Sequence, residues 1–487
     1  MSAPLTAPRA DADVAGALAA LIGRFGTRAS VADSVRDHHA RDESHHAGHR
    51  PDIVVFPETT EEVAEVARIA TRFRVPLVPF GAGSGLEGGA IPVAGGIAVD
   101  TGRLDAILDV SPDDMTARVE AGVRRQTLNR FLRDTGLFFP VDPGADASLG
   151  GMVSTGASGT NAVRFGVMRE NVLGLTVVLA DGRIIRTGGP ARKSSAGYDL
   201  TRLFVGSEGT LGIVTEVTLR LHPVPEAVSA VASFPTLAAA VATVTDIRRA
   251  GVPIGRVELV DQPLIPVLNR NTNLGLEVRP ALFFEFQGAA HEVSALSDTV
   301  TGLVADHGGA DLRWMATAEE AANLWEARRV GLAWAQNERP GSRAWPSDVC
   351  VPISKLAEVV LETREDVASS PVPAFIVGHV GDGNFHCVFM VIPEDAAETA
   401  EVGRLNDRIV ARALRAGGTA TGEHGIGLGK RHWLPREHGA EAVAVMASLK
   451  AALDPLGLLN PGKVLPDPAS CPAPDATRPL PASPAFA

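Results

Sequence analysis

The stretch that decides the fold is Pro79-Phe80-Gly81-Ala82-Gly83-Ser84-Gly85-Leu86-Glu87-Gly88-Gly89. From Gly83 to Gly88 it matches the pattern G-x-G-x-x-G, but in a Rossmann fold such a loop must open a helix. Here Pro92 and Gly95-Gly96 follow, and then an apolar strand pattern at 97–100, so the Rossmann fold is rejected. Glycines permit close approach and positive φ. The loop therefore either wraps a pyrophosphate with its backbone N–H groups or forms a long turn.

Short strands and helices alternate on both sides of this loop. Before it, the pattern predicts a strand at 53–56 and a capping box from Thr59 to Glu62 that opens an amphipathic helix. After it, the segments 148–161 and 206–212 are rich in small residues, and the second runs into a strand. Beyond Pro225 the strands alternate with longer helices, which indicates a second α+β unit.

A second informative stretch is Gly378-His379-Val380-Gly381-Asp382-Gly383-Asn384-Phe385-His386. Its apolar flanks and central turn residues predict a β-hairpin. If Val380 pairs with Phe385, then His379 lies directly opposite His386, with Cβ atoms roughly 4.5–5.5 Å apart. The hairpin would then present two imidazoles on one face.

Two facing imidazoles can bind one metal ion, and Glu423 in Gly422-Glu423-His424-Gly425 is predicted to supply a third ligand. Such a set leaves coordination positions open, as in catalytic metal sites. His424 need not be a ligand, and with an ordinary pKa near 6.5 it is free to act as a base. The alternative is a hairpin with two hydrogen-bonded histidines and no metal. Because two histidines, an acid and a base coincide, we favour the site.

Composition narrows the class of protein. The 487 residues are 45% hydrophobic and 21% charged, which suits two or more globular domains. A net charge of −12 argues against nucleic-acid binding and against an electrostatic membrane anchor. No apolar run is long enough to span a bilayer. The three cysteines form no C-x-x-C, and we expect a reducing, cytoplasmic location.

Five histidines lie between His38 and Arg50. Their density suggests metal binding, because histidine-rich tracts often hold metal ions. Their spacing, however, follows no fixed scaffold of the kind that known zinc sites use. We therefore interpret this segment as a solvated loop, and its role stays open.

Several segments, taken in order with the hairpin, resemble a known family. They resemble the vanillyl-alcohol-oxidase-like (PCMH-type) flavoproteins, and within them the branch of FAD-linked D-lactate and 2-hydroxyacid dehydrogenases. The resemblance covers roughly residues 45 to 465, and its specificity comes from the joint occurrence of the motifs. Besides 79–89 and the hairpin, the segments that carry it are Pro140-Val141-Asp142-Pro143-Gly144-Ala145-Asp146, Thr155-Gly156-Ala157-Ser158-Gly159-Thr160-Asn161, and Gly206-Ser207-Glu208-Gly209-Thr210-Leu211-Gly212.

The resemblance implies an α+β fold. It comprises a two-subdomain PCMH-type FAD-binding domain, an α+β cap domain with an antiparallel sheet, and a C-terminal helical segment. We expect an N-terminal helical and loop segment at 1–44, the FAD-binding domain at 45–225 and the cap or substrate domain at 226–420. Residues 421–465 would return to the active site. The Pro-, Ala- and Ser-rich tail at 466–487 is predicted to be disordered.

FAD is the cofactor that the resemblance implies, with its pyrophosphate on the loop at 81–85. Some relatives attach the flavin through a histidine of this loop, but Ala82 and Ser84 stand there, so we expect noncovalent FAD. The resemblance assigns these residues to cofactor binding: Pro79, Gly81, Ala82, Gly83, Ser84, Gly85, Pro143, Gly144, Ala145, Asp146, Ser148, Gly151, Gly156, Ser158, Gly159, Asn161, Glu208, Gly209, Gly212, Ile213, Val214 and Asn460.

The activity that the resemblance implies is oxidation of a D-2-hydroxy acid, most simply D-lactate to pyruvate, by hydride transfer to FAD. The hydroxyl and carboxylate of the substrate would chelate a zinc, manganese or iron ion on the two histidines and Glu423. His424 would take the hydroxyl proton as the catalytic base. Arg328 would bind the substrate carboxylate, and Asn384 is expected to help orient the substrate.

The reduced flavin would pass its electrons to a cytochrome, a quinone or an electron-transfer flavoprotein. An acceptor in a membrane would place the protein at the membrane surface. Apart from the small-molecule substrate and this acceptor, we predict no nucleic-acid partner, and the sequence allows a homodimer.

Four alternatives stay open. The first is a glycolate oxidase flavoprotein subunit. The second is a D-2-hydroxyglutarate dehydrogenase, but Pro346 stands near the place of the lysine in those relatives, and Arg343 lies further back. The third is a flavin-dependent ether-lipid synthase, a transferase that relies on a cap tyrosine, whereas the single tyrosine here, Tyr198, falls in the flavin half. The fourth is a metal- or nucleotide-binding module without catalysis.

Overall fold

The computed structural model describes residues 12–288 and 290–467. The predicted disordered tail lies outside the described residues from residue 468 onward, and so do the first eleven residues of the predicted N-terminal segment. Within the described ranges, no helix is both long and apolar enough to cross a membrane.

The first subdomain of the flavin half is a four-stranded sheet that leads into the loop at 79–89. Ile53 and Leu77 both pair in parallel with Ile97. Thr59 caps the following helix by accepting from Glu62 N at 3.2 Å, but the predicted capping box is incomplete, because Glu62 Oε2 accepts from Glu58 N and not from Thr59 N. No helix lies between the strands at 77–80 and 97–100, which agrees with the rejection of a Rossmann fold. The strands, in sheet order, are Ala29–Ser30, Ile53–Val55, Ile97–Asp100 and Leu77–Phe80, and the helices are Val14–Phe25, Asp33–His38 and Thr60–Phe73.

The second subdomain is a five-stranded antiparallel sheet with short helices. Its strands, in sheet order, are Ile107–Ser111, Thr116–Glu120, Ile213–Arg220, Val172–Val178 and Ile184–Gly188. A small separate pair joins Leu137–Phe138 to His222–Pro223. The helices are Arg125–Leu132, Leu149–Thr155, Ala162–Phe165, Met168–Asn171 and Leu200–Phe204.

The cap is an antiparallel sheet covered by longer helices, as predicted. Its strands, in sheet order, are Ala310–Trp314, Ala227–Ser233, Ala281–Gln287, Ile254–Val260, Ala374–Gly378, Asn384–Val391 and Arg343–Pro346, with Val349–Cys350 paired to the start of 384–391. The helices are Leu237–Arg249, Ile265–Asn271, Ala290–Asp306, Ala318–Asn337, Ile353–Ala368 and Ala396–Arg415.

The histidine hairpin forms, but the predicted register is wrong. Val377, and not His379, lies opposite His386. The first strand ends at Gly378 because Asn384 already belongs to the second strand, where it pairs with Cys350. The turn is therefore longer than the sequence suggested. A shift of two residues leaves every side chain on its own face, so His379 still shares a face with His386.

The C-terminal segment returns to the flavin half. Leu77 N donates to Leu458 O at 2.8 Å, and Asn460 N donates to Leu77 O at 2.7 Å, so the segment extends the first sheet. Its helices are Leu434–His438 and Ala440–Leu453. Single 3-10 turns in the chain are Gly26–Arg28, Thr101–Arg103, Arg133–Thr135, Gln262–Leu264 and Arg431–Trp433.

We had expected the histidine-rich segment to be a solvated loop, but the structure shows that parts of it are buried. His39 is 2% exposed, and its ring nitrogens lie 2.8 Å from Val35 O and from Asp100 Oδ2. The ring of His45 stacks on Trp345 of the cap, with centroids 3.4 Å apart. The segment therefore bridges the flavin half and the cap, a contact that spacing along the sequence could not indicate.

Candidate active site

A cavity of about 1610 Å³ is lined by both halves of the molecule. The loop at 81–85 forms one wall, and a Cβ at Gly81 would overlap Ser148 Oγ. Gly83 has φ +70°, and a Cβ there would lie 2.8 Å from the ring of Phe80. Because side chains are excluded at both positions, the backbone itself faces the cavity. This is the surface that a pyrophosphate requires.

Most of the predicted cofactor residues line this cavity. They are Pro79, Gly81, Ala82, Gly83, Ser84, Gly85, Pro143, Gly144, Ala145, Ser148, Gly151, Ser158, Asn161, Glu208, Gly212, Ile213 and Val214. They come from four separate segments of the flavin half. Their convergence on one cavity is what the glycine and small-residue motifs indicated.

Five predicted cofactor residues lie outside the cavity lining in the described part of the chain: Asp146, Gly156, Gly159, Gly209 and Asn460. Asp146 Oδ1 accepts from Gln126 N at 3.0 Å. Gly156 ends a helix with φ +68°, and added Cβ atoms at Gly159 and Gly209 would overlap the backbone of Asp142 and the ring of Pro79. Asn460 Nδ2 donates to Gly89 O and Glu208 O at 2.8 and 2.7 Å. These residues shape the flavin half and do not face its cavity.

The predicted metal ligands converge on the cap side of the same cavity. His379 Nε2 and His386 Nε2 each lie 3.2 Å from Glu423 Oε1. One ligand atom from each of the three residues falls within 4.8 Å of the others. Burial opposes ionisation of Glu423, but the two histidines hold the pKa of its carboxyl far below the ordinary value. The arrangement is a carboxylate between two imidazoles, open to the cavity.

Two site residues next to this cluster were not predicted from the sequence. The first is Glu258. Its side chain is fully buried, and Oε1 lies 2.6 Å from His379 Nδ1. Its other oxygen, Oε2, lies 2.7 Å from Arg328 Nη2. Burial would lower the pKa of His379, but Glu258 and Glu423 together raise it well above the ordinary value. Glu258 thus fixes both His379 and Arg328.

The second missed residue is Asp348, which is also fully buried. Its Oδ2 accepts from Gly422 N, Glu423 N and His424 N at 2.8, 2.8 and 3.0 Å. Burial opposes ionisation of Asp348, but the neighbouring His424 imidazole, Lys430 and the backbone N–H groups hold the pKa of this carboxyl well below the ordinary value. Asn384 Nδ2 donates to Asp348 Oδ1 at 2.8 Å. Asn384 is 6% exposed and lies outside the cavity lining, so the expected substrate contact of Asn384 is not what the structure shows.

His424 and Arg328, the two predicted catalytic residues, both line the cavity. The His424 ring stacks on His386 with centroids 5.1 Å apart, and its Nδ1 has no hydrogen-bond partner among the described residues. Burial lowers the pKa of His424 to about 4, in place of the ordinary value that we had assumed. Arg328 Nε is likewise without a partner among the described residues. Both side chains therefore keep a buried, unpaired polar atom beside the cluster.

The remaining cap wall combines apolar side chains with charged ones such as Glu326, Arg329 and Arg343. Leu332, Val377, Val388 and Pro346 line the cavity around the cluster. Arg256 crosses from the cap to the flavin half, where its Nε donates to Asn161 Oδ1 at 2.9 Å. The cavity thus combines a backbone cradle, a histidine–carboxylate cluster and an aliphatic wall.

Comparison with known proteins places this arrangement in a family. A model of the FAD binding domain matches residues 51–188, and a model of the C-terminal domain of FAD linked oxidases matches residues 224–464. The chain belongs to the FAD-linked oxidase family. This FAD-linked oxidase is 50% identical over 440 residues to the probable D-lactate dehydrogenase, mitochondrial, of Danio rerio, covering 90% of this chain and 88% of the relative. It is 40% identical over 423 residues to D-lactate dehydrogenase [cytochrome], mitochondrial, of Arabidopsis thaliana, covering 87% and 75%.

Solved structures agree on the fold of this FAD-linked oxidase. A 4-ethylphenol oxidase from Gulosibacter chungangensis superposes with a TM-score of 0.79 at 19% identity, over 95% of this chain and 99% of that one. An alkyldihydroxyacetonephosphate synthase superposes with a TM-score of 0.72 at 20% identity, over 94% and 88%. At this identity, the likeness supports the shared architecture alone.

The predicted cytoplasmic location is contradicted by these relatives. The Danio rerio and Arabidopsis thaliana proteins, and a Saccharomyces cerevisiae D-lactate dehydrogenase that is 39% identical over 428 residues, are all named mitochondrial. The prediction rested on cysteine usage, which reports a reducing compartment. Cysteine usage cannot say which reducing compartment a protein occupies.

Proposed function

We propose that this FAD-linked oxidase oxidises a D-2-hydroxy acid to the 2-oxo acid, with D-lactate as substrate and pyruvate as product. The observation that carries the proposal is the position of the histidine–carboxylate cluster. His379, His386 and Glu423 face the same cavity as the glycine cradle, with Arg328 and His424 beside them. The names of the relatives point to the same substrate class.

The flavin half fits FAD through its backbone. Bound FAD supplies the acceptor for the hydride that leaves the substrate α-carbon. Ala82 and Ser84 line the cavity and offer no imidazole for attachment, so the flavin is held noncovalently. Electrons then leave to a cytochrome, a quinone or an electron-transfer flavoprotein. The names of relatives that carry "[cytochrome]" favour the first.

The cluster also fits a divalent metal ion. Two imidazoles and one carboxylate suit zinc, manganese or iron. Glu423 Oε2 is buried and has no partner among the described residues, which is costly unless a cation or a substrate group is paired with it. A bound metal would polarise the substrate hydroxyl and lower its pKa. Glu258 would hold His379 in the orientation and tautomer that such a site needs.

The chain's own side chains supply binding and proton transfer. Arg328 lines the cavity, where its guanidinium can donate to a substrate carboxylate while Nη2 stays on Glu258. His424 is neutral at physiological pH and therefore ready to take the hydroxyl proton. The aliphatic side chains around the cluster suit a short apolar substituent on the α-carbon.

An anaerobic spectrum tests the proposal. The flavin absorbance of the holoenzyme should be lost when D-lactate is added and should persist with L-lactate, because one enantiomer alone can direct its α-hydrogen at the flavin. Glycolate and D-2-hydroxyglutarate are the comparison substrates, since a relative in Bacillus subtilis, 36% identical over 419 residues, is named a glycolate oxidase subunit. Arg343 also lines the cavity, so D-2-hydroxyglutarate tests whether it can anchor a second carboxylate. A flavin that no 2-hydroxy acid reduces would refute the proposal.

A further inference from the structure

The loop that carries Glu423 and His424 contains neither helix nor strand between residues 421 and 430. We call these residues the catalytic loop. A loop of this kind has no internal ladder of hydrogen bonds, so its backbone N–H groups must find partners elsewhere. The cap supplies them for the first part, where the carboxylate of Asp348 accepts from three consecutive amides.

The flavin half supplies partners for the second part. Glu208 Oε1 accepts from Ile426 N at 2.6 Å, and Glu208 Oε2 accepts from Gly427 N at 2.9 Å. The next amide, Leu428 N, donates to Glu87 O at 2.7 Å. Glu208 and Glu87 belong to the two glycine-rich loops of the flavin half. The catalytic loop is thus held at one end by the cap and at the other by the flavin half.

Glu208 is built into this role by its backbone and its surroundings. It has φ +49°, a left-handed conformation that is uncommon for a residue with a side chain, and it is 6% exposed. A Cβ at Gly425 would lie 2.9 Å from Glu208 Oε1, so the loop packs directly on the carboxylate. A buried carboxylate is tolerated where donors compensate its lost hydration. Among the described residues, the N–H groups that hydrogen-bond this carboxylate belong to the catalytic loop, and Lys463 adds a favourable charge nearby.

We propose that Glu208 is a positioning residue: it ties the catalytic loop to the flavin half and so keeps His424 and Glu423 in place relative to the flavin. The inference rests on the proposed function in one respect, namely that His424 is the base. Glu208 lines the cavity, but both carboxylate oxygens are directed to the loop. It acts through the backbone at 426–427 and not through contact with the substrate.

The test is Glu208→Gln in the full-length holoenzyme. The substitution keeps the volume of the side chain, but it places an amide NH₂ against a backbone N–H of the loop. We expect kcat to fall about 100-fold, the effect of a displacement of about 1 Å in a reacting group. KM should change much less, because Arg328 and the aliphatic wall stay in place. Glu216→Gln, on a strand of the same half and away from the loop, is the matched control.

Hydrogen exchange provides a readout that needs no turnover. In Glu208→Gln, the amides of peptides within residues 421–430 should exchange about tenfold faster than in the wild type, while peptides of the sheet at 213–220 stay unchanged. Bound FAD should stay near one per chain. If Glu208→Gln cannot be purified folded, Glu208→Asp, whose shorter side chain cannot reach both amides, takes its place with the same expectations.

The outcomes separate the two proposals. Unchanged exchange in the catalytic loop of Glu208→Gln would overturn the positioning role. If the variant also lost FAD, Glu208 would be a cofactor contact. Faster exchange with a wild type that no 2-hydroxy acid reduces would support the positioning role and refute the proposed function. Faster exchange with unchanged kcat would show that the loop position does not govern catalysis, and it too would overturn the inference.

Discussion

The two walls of the cavity are built on different principles. The flavin wall presents backbone: at Gly81 and Gly83 added side chains have no room. The cap wall presents charged and imidazole side chains from distant segments, held by buried carboxylates such as Glu258 and Asp348. The first wall should therefore be sensitive to added volume and tolerant of nearby charge changes. The second should be sensitive to single charged atoms, and the following experiments test that contrast.

The largest effect is expected for His424→Ala. The variant removes the group that takes the hydroxyl proton, so flavin reduction by D-lactate should slow about 1000-fold, within the usual range for a general base. FAD and metal content should stay unchanged, since His424 is neither a cradle residue nor one of the three predicted ligands. Stopped-flow absorbance measures the rate, and His432→Ala, at an exposed histidine, is the control. Reduction at the wild-type rate would remove His424 from the mechanism.

Gly83→Val tests the flavin wall. Gly83 has φ +70°, and a β-branched side chain is strongly disfavoured there and would also press on Phe80. Strain of about 2 kcal/mol corresponds to roughly 30-fold weaker FAD binding. Metal content should be retained, because the cap cluster is separate. Fluorescence titration of the apoprotein with FAD measures the affinity. Gly189→Val, where a side chain meets open space, should bind FAD normally, and equal affinities of the two variants would contradict a backbone cradle.

The residues of the flavin wall were predicted from the sequence. On the cap wall, the histidine–carboxylate cluster was predicted, but the buried carboxylates that hold it were not. Glycine motifs are local, so the cradle could be recognised within one stretch. His379, His386 and Glu423 were recognisable because a hairpin and a second glycine-rich loop frame them, even though the register was two residues off. Register depends on where each strand ends, and that depended on pairing of Asn384 with Cys350, which lies far away in the sequence.

Glu258 and Asp348 could not be assigned because their partners lie far along the chain. A signal was nevertheless present. Glu258 stands between the apolar residues Val257 and Leu259 in the strand Ile254–Val260, and a buried charge at such a position must have a partner. The five cofactor residues that fall outside the cavity show the converse limit. A glycine required by a turn and a glycine required by a ligand look identical in one sequence, and Gly156 and Gly209 are of the first kind.

Glu258→Gln tests whether single charges govern the cap wall. Glutamine fits the space and can still accept from His379, but it removes the negative charge that raises the pKa of His379 and pairs with Arg328. Loss of such a partner behind a metal ligand typically weakens metal binding about 10–100-fold. Competition with a chelator, followed by elemental analysis, measures the affinity. Glu285→Gln, a buried glutamate on the adjacent strand, is the control, and identical metal affinity in both variants would argue against the role of Glu258.

The pH dependence of flavin reduction tests the buried environment of His424. A base works in its neutral form, which predominates above its pKa, and burial lowers the pKa of His424 to about 4. The rate should therefore stay nearly constant as the pH falls from about 8 to about 6, whereas a histidine of ordinary pKa would lose most of its neutral form over that range. Metal content is measured at each pH, since protonation of ligands can release the ion. A fall centred near the ordinary histidine value with metal retained would contradict the burial argument.

The smallest effect is expected for Asp146→Ala, and it bears directly on the contrast between the walls. Asp146 was predicted to bind the cofactor, but its carboxylate accepts from Gln126 N and so caps the helix Arg125–Leu132, whose own N-cap residue makes no side-chain bond. Loss of such a cap lowers the free energy of unfolding by about 1 kcal/mol. FAD affinity should be unchanged, because the cradle is backbone and Asp146 lies outside the cavity lining. Urea denaturation and FAD titration measure the two quantities. A weaker FAD complex with unchanged stability would mean that side-chain charge also contributes to the flavin wall.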